Sequence, residues 1–121
     1  MLNDGPPSAI RPSRAALQIR RTRLPDDGYA VTLGGELDIQ TAVELREDIT
    51  AILAERPLPS RVVIDLRDVT FIDSLGLGTL VVGHRICAEM GVSFTVRNPT
   101  GFVSHLLSIS GFAERLLASE P

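Results

Sequence analysis

Apolar residues recur at strand spacing in four stretches of the chain and at helical spacing in four others, and the order of these stretches predicts a fold. The run from Ala15 through LQIRRTRL, the turn PDDG and the run YAVTLGGEL read as two strands of a hairpin, with Pro25 and Gly28 as turn residues. From Thr41 the period changes. TAVE fits a capping box, in which the Thr41 hydroxyl and the Glu44 carboxylate would satisfy each other's free amides. Leu45, Ile49, Ile52 and Leu53 then form one buried stripe, while Glu44, Arg46, Glu47 and Asp48 face water. Pro57 and Pro59 end this helix.

Val62, Val63, Ile64, Leu66 and Val69 are apolar over most of a strand's length, as expected for an inner strand of a sheet. Helical spacing resumes from Leu77 to Met90, preceded by Asp73 or Ser74 as cap and closed by Gly91. VSFTVRN alternates cleanly: Val92, Phe94 and Val96 point to the core, and Ser93, Thr95 and Arg97 to the other side. Thr100 is placed to cap a short helix holding Phe102, Val103, Leu106 and Leu107, and a last short helix runs from Phe112 to Leu117.

The predicted order is β-β-α-β-α-β-α-α, an α/β domain with a mixed sheet of four to five strands and helices mainly on one face. The opening pair is antiparallel, and strands joined through helices run parallel with right-handed crossovers. Loops leaving the carboxyl ends of parallel strands gather at one edge, so Asp38 and Asp73 should be near neighbours there.

Composition narrows the function. The 121 residues suffice for one domain with a real core. Met1 to about Ser13, rich in proline and small residues, reads as a loose tail ahead of a domain spanning 14–121. A net charge of −3 offers no attraction for phosphate backbones or anionic lipid, so neither direct nucleic-acid binding nor membrane binding is expected. All twelve basic residues are arginine, which excludes P-loop and Schiff-base chemistry, both dependent on lysine. Arg20, Arg21 and Arg23 read as solvated charges protecting an outer strand. With Cys87 as the single cysteine, neither an intrachain disulfide nor a cysteine-rich zinc cluster can form, which fits a reducing cytoplasm. The first residues lack the apolar block of a signal peptide, and no run approaches a membrane span.

Three pieces in order, GELDIQTAVELREDITAIL, VVIDLRDVTFIDSLGLGTL and GFVSHLLSISGFAERL, resemble the STAS domain of bacterial anti-sigma factor antagonists, over roughly Leu17 to Leu117. The resemblance implies a regulator and not an enzyme, with no cofactor. Such a protein binds a kinase-type anti-sigma factor, a serine-protein kinase, frees the sigma factor, and is released when the kinase phosphorylates it. On this likeness Asp38, Ile39, Thr41, Asp73, Ser74, Leu75, Gly76 and Gly78 form the partner-binding rim. Asp73 and Ser74 match the first two positions of the family's Asp-Ser-Ser/Thr-Gly signature, and Gly76 and Gly78 match its glycines. At the position of the phosphorylated hydroxyl stands Leu75, which leaves Ser74 as the candidate acceptor. A scaffold or small-ligand sensor of the same family, uncontrolled by phosphorylation, is the alternative, and self-association into a homodimer stays open.

A phosphate in the first turn of a helix would be tolerated by the free amides there, yet it would add about −1.5 to −2 charges beside two aspartates and repel a neutral partner surface. A leucine acts in the opposite sense: buried under a partner it would contribute roughly 1.5 to 3 kcal/mol. The two glycines after it each weaken a helix by about 1 kcal/mol, which calls for close approach of a neighbouring strand or of a partner. Catalysis by Ser74 with His84 or His105 is not expected, because IDSLG lacks the first glycine of a nucleophile elbow. His84 and His105 show no metal-ligand spacing, GLG is an incomplete nucleotide-binding turn, and Cys87 reads as an inert core thiol.

Overall fold

The structure, a computed structural model, describes residues 17–117. The segment read as a loose tail, and Ala15 at the start of the hairpin, lie outside the described residues. Among the described residues four strands, β1 (Gln18–Arg23), β2 (Tyr29–Leu37), β3 (Arg61–Ile72) and β4 (Ser93–Arg97), form one sheet in the order β1-β2-β3-β4. Four helices follow the predicted alternation: α1 (Ala42–Leu53), α2 (Ser74–Glu89), α3 (Gly101–Ser110) and α4 (Ala113–Leu116). The mixed α/β fold expected from the periodicity is the one observed.

β1 and β2 pair antiparallel, with Arg23 opposite Tyr29, around a turn in which the Asp27 amide donates to the Leu24 carbonyl at 3.2 Å. Asp27 takes φ 67°, a left-handed conformation that aspartate tolerates better than most residues. β2–β3 and β3–β4 are parallel, so β3 is an inner strand as its apolar run predicts. Val62, Ile64, Leu66 and Val69 of β3, Leu45, Ile49 and Ile52 of α1, and Leu77, Leu80 and Cys87 of α2 are all buried in one core. Each such side chain, once removed from water, stabilises the fold by about 1.5 to 3 kcal/mol before conformational entropy is subtracted.

Thr95 faces away from the main core as predicted but is itself buried, in register with buried Val63. The arginines of β1 are not simply solvated. Arg21 reaches α1 and the segment after it, pairing with Asp48 at 2.8 Å and with Glu55, two residues past the helix, at 3.5 Å, and the hydrogen bond to Asp48 raises its pKa above the ordinary value. Tyr29 Oη donates to Glu55 at 2.7 Å and accepts from Arg23 at 3.0 Å, so the hairpin is tied to the end of α1 and the residues that follow it by a polar seam at the surface. Edge position makes these side chains available; Asp48 of α1 and Glu55 just beyond it decide where they go.

Candidate functional site

The site begins with register. β2 and β3 run parallel and end together, with Leu37 opposite Ile72, after two irregularities between Thr32 and Glu36 have adjusted the pairing. Their next residues, Asp38 and Asp73, therefore leave the sheet at the same edge. Asp38 is only 3% exposed. Its Oδ1 accepts from the amides of Gln40 at 3.0 Å and Thr41 at 3.1 Å, while its carbonyl accepts from the Ala42 amide at 2.8 Å. A buried carboxylate with two amide donors is the true start of this helical turn.

The capping box predicted for Thr41 and Glu44 is not formed. Thr41 already has helical dihedrals, φ −100° and ψ −14°, and makes no side-chain cap bond. Its hydroxyl is committed elsewhere, donating to the Glu36 carbonyl at 2.6 Å and accepting from the Asp38 amide at 3.0 Å. Asp38, three residues earlier, takes the capping role, and Thr41 pins the strand end beneath it. Thr100 likewise occupies the cap position of α3 without a side-chain bond.

Asp73 joins the two turns. Its backbone is extended, with φ −109° and ψ −176°, and its Oδ1 accepts from the Gly76 amide at 2.8 Å, capping α2 three residues ahead of the predicted Leu77 start. Its Oδ2 accepts from the Ile39 amide at 3.0 Å, and its own amide donates to the Leu37 carbonyl at 3.2 Å. One carboxylate thus satisfies free amides from both helix starts. Gly76 is the residue that permits this proximity: a Cβ built there would lie 2.8 Å from the Leu37 carbonyl carbon. Outward from this locked pair project Ile39, 66% exposed, and Leu75, 52% exposed, with exposed Ser74 between the acid and the leucine.

Comparison with known proteins follows the same geometry. The family described as "Mlab, STAS domain" matches residues 21–118. The chain belongs to the STAS domain family. The anti-sigma-B factor antagonist of Bacillus subtilis (strain 168) is 32% identical over 89 residues, covering 74% of this chain and 79% of the relative, which places the chain among anti-sigma factor antagonists by homology. The crystal structure of an anti-sigma factor antagonist from Mycobacterium paratuberculosis is similar with a TM-score of 0.67 and 25% identity, over 86% of this chain and 87% of the other. The anti-sigma factor antagonist SpoIIAA in its unphosphorylated form shares the fold, with a TM-score of 0.61 and 19% identity over 76% of this chain and 83% of that one.

Within this STAS domain the eight predicted rim residues fall into three groups. Asp38, Thr41 and Gly76 are buried and Asp73 half-buried, and these four hold the rim together. Ile39, Ser74 and Leu75 are exposed and present a surface. Gly78, half-buried, has no heavy atom within 4 Å of a built Cβ, so strand approach explains Gly76 and not Gly78. Gly78 instead opens onto an apolar groove of about 680 Å³ between α1 and α2, walled by Ile49, Leu53, Leu75, Val82 and Ile86 and reaching Met90. The periodicity reading missed this groove. Its signal was present: Val82, Ile86 and Met90 repeat every four residues on α2, beside the separate core stripe of Leu77, Leu80 and Cys87.

The remaining candidates are placed as follows. His84 lies ten residues beyond Ser74 on the same helix, about 15 Å along its axis at a rise of ~1.5 Å per residue, and sets its ring edge-on to Phe94 at 6.2 Å. His105 is exposed on α3. Burial pushes the Cys87 thiol up to about 11, away from the thiolate that redox chemistry requires. Among the described residues, no group of three or more histidine, cysteine, aspartate or glutamate side chains is placed to hold a metal, and no helix is long and apolar enough to cross a membrane.

Proposed function

We propose that the chain is a cytoplasmic regulator that docks a kinase-type anti-sigma factor on the rim of Ile39, Asp73, Ser74 and Leu75, and so releases a sigma factor for transcription. The single observation that carries this reading is the Asp73 carboxylate, which bonds the Ile39 and Gly76 amides at 3.0 and 2.8 Å and so joins the two turns that expose Ile39 and Leu75. Preorganised apolar anchors beside an acid are what a protein-docking surface needs. The kinship to anti-sigma-B factor antagonists supports the partner class.

Leu75 stands at the position where the family resemblance puts the phosphorylated hydroxyl, so release by phosphorylation at that position has no acceptor atom. Ser74, exposed one residue earlier, is the remaining hydroxyl on this turn. Binding through Leu75 is then constitutive unless Ser74 is modified. Titration calorimetry against the kinase-type anti-sigma factors of the same cell tests the proposal. Saturable binding to at least one, weakened by Leu75→Arg, is expected; no binding to any of them overturns it. A second reading, a ligand-sensing STAS module, is favoured by the apolar groove beside Leu75.

A further inference from the structure

We propose that the groove between α1 and α2 binds a fatty acid, with Arg46 holding its carboxylate and the acyl chain lying along α2 toward Met90. The inference goes beyond the docking rim and rests on the groove itself. Its walls are Ile49, Leu53, Leu75, Val82, Ile86 and Met90, and Arg46 is the single ionisable side chain among the residues that line it. The volume, about 680 Å³, lies within the range of roughly 300 to 1,000 Å³ typical of small-molecule sites.

The charge at the groove is unspent. Arg21 and Arg23 of β1 pair with Asp48 at 2.8 Å and with Asp27 at 3.6 Å, whereas Arg46, the one arginine of α1, makes no side-chain hydrogen bond or ion pair among the described residues. A planar guanidinium matches one carboxylate through two parallel hydrogen bonds. The lining offers little for a larger polar head. Thr50 Oγ1 already donates to the Arg46 carbonyl at 2.8 Å, and Thr79 Oγ1 to the Leu75 carbonyl at 3.1 Å. A ligand with one small anion and a long apolar tail fits this distribution, and a sugar, nucleotide or peptide backbone does not.

The shape fits as well. Both helices follow parallel strands, so they run in the same sense, and Arg46 and Leu75 lie toward the same end of the groove. From Leu75 to Met90 the groove extends about 22 Å along α2, a length suited to an extended acyl chain. Gly83 lies on the floor, where a built Cβ would be 3.3 Å from Ile49 Cδ1, so α1 and α2 approach closely beneath the groove. Gly78, with nothing within 4 Å of a built Cβ, keeps the wall of the groove open.

Titration calorimetry of the full chain with laurate, and with dodecanol as the uncharged control, tests the site. One laurate per chain is expected, bound at least tenfold more tightly than dodecanol. Arg46→Gln should erase the difference between the two ligands, and Gly78→Leu should abolish both while the far-ultraviolet circular dichroism stays unchanged. If Gly78→Leu does not fold, Ile86→Gln, an exposed position on the same wall, must weaken both ligands at least tenfold. Absence of saturable laurate binding below its micelle concentration overturns the proposal, as does binding that survives these wall substitutions or is indifferent to Arg46→Gln. Because the readout is the ligand itself, its failure leaves the docking of an anti-sigma factor untouched, and the reverse holds.

Discussion

The carboxylate of Asp73 accepts the backbone amide of Ile39 at 3.0 Å, across 34 positions of sequence. This bond and the one to the Gly76 amide make a single side chain responsible for two helix starts. Asp73→Ala removes a helix cap, worth about 0.5 to 2 kcal/mol, and leaves the Ile39 amide without its acceptor. The expected loss is about 1 to 3 kcal/mol in urea-monitored unfolding, with an unchanged dependence on denaturant. Asp73→Asn, which keeps an acceptor for one amide only, should fall between the two.

Gly76 and Gly78 are two residues apart and should respond in opposite directions to the same change. A methyl group at Gly76 meets the Leu37 carbonyl, a backbone group that can move only by separating β2 from α2. Gly76→Ala is expected to destabilise the domain by about 2 kcal/mol or more, the scale of other changes that overpack a well-filled interior. Gly78→Ala meets nothing within 4 Å and gains helix propensity, so it should stabilise by up to about 1 kcal/mol. Thermal melting of the two variants side by side checks the pair.

Element type and order were legible because burial imposes a period, as in the stripe of Leu45, Ile49 and Ile52 or the apolar run of β3. The meeting of Asp38 and Asp73 was legible from topology alone, since parallel strands deliver their next residues to one edge. The cap of α1 was misread, because TAVE satisfies the capping pattern locally while Asp38, three residues earlier, offers a carboxylate that the fold buries. A pattern over four residues carries no information about that burial. The groove was illegible for a related reason. Whether Val82 and Ile86 pack against a neighbour or face a groove depends on how closely α1 approaches α2, which no local pattern encodes.

Cys87 supplies a pH dependence. It is fully buried, and burial raises its thiol from 9.0 to about 11. The folded chain therefore holds this proton more tightly than the unfolded chain does. Its contribution to stability is complete below pH 9.0 and declines as pH rises toward about 11, by at most about 2 to 3 kcal/mol. Urea unfolding at about pH 8 and about pH 10.5 should show a steeper loss for the native chain than for Cys87→Ala, which has no thiol to ionise. Equal losses would mean that the buried thiol does not govern this limb. Thiol-directed alkylation should likewise be slow until the chain unfolds.

The proposed docking of an anti-sigma factor is tested most directly at Leu75. The side chain is 52% exposed, so covering its remaining surface with a partner is worth about 1 kcal/mol, and Leu75→Ala should weaken anti-sigma factor binding roughly fivefold with little change in stability. Leu75→Ser restores a hydroxyl in the first turn of α2, where free amides tolerate a phosphate while Asp38 and Asp73 stand nearby. Incubation of the Leu75→Ser chain with a cognate kinase and magnesium ATP should add one phosphate, and the resulting charge of about −1.5 to −2 should release the partner. Because the chain has no lysine, trypsin cuts only after arginine and releases residues 68–85 as one peptide containing both Ser74 and position 75. Fragmentation of that peptide assigns the phosphate. Modification at position 75 of the variant, with position 75 of the native chain unmodifiable, supports a docking surface that is intact and has lost its switch. A variant that binds the kinase yet takes no phosphate would show that the leucine turn does not sit in the kinase active site.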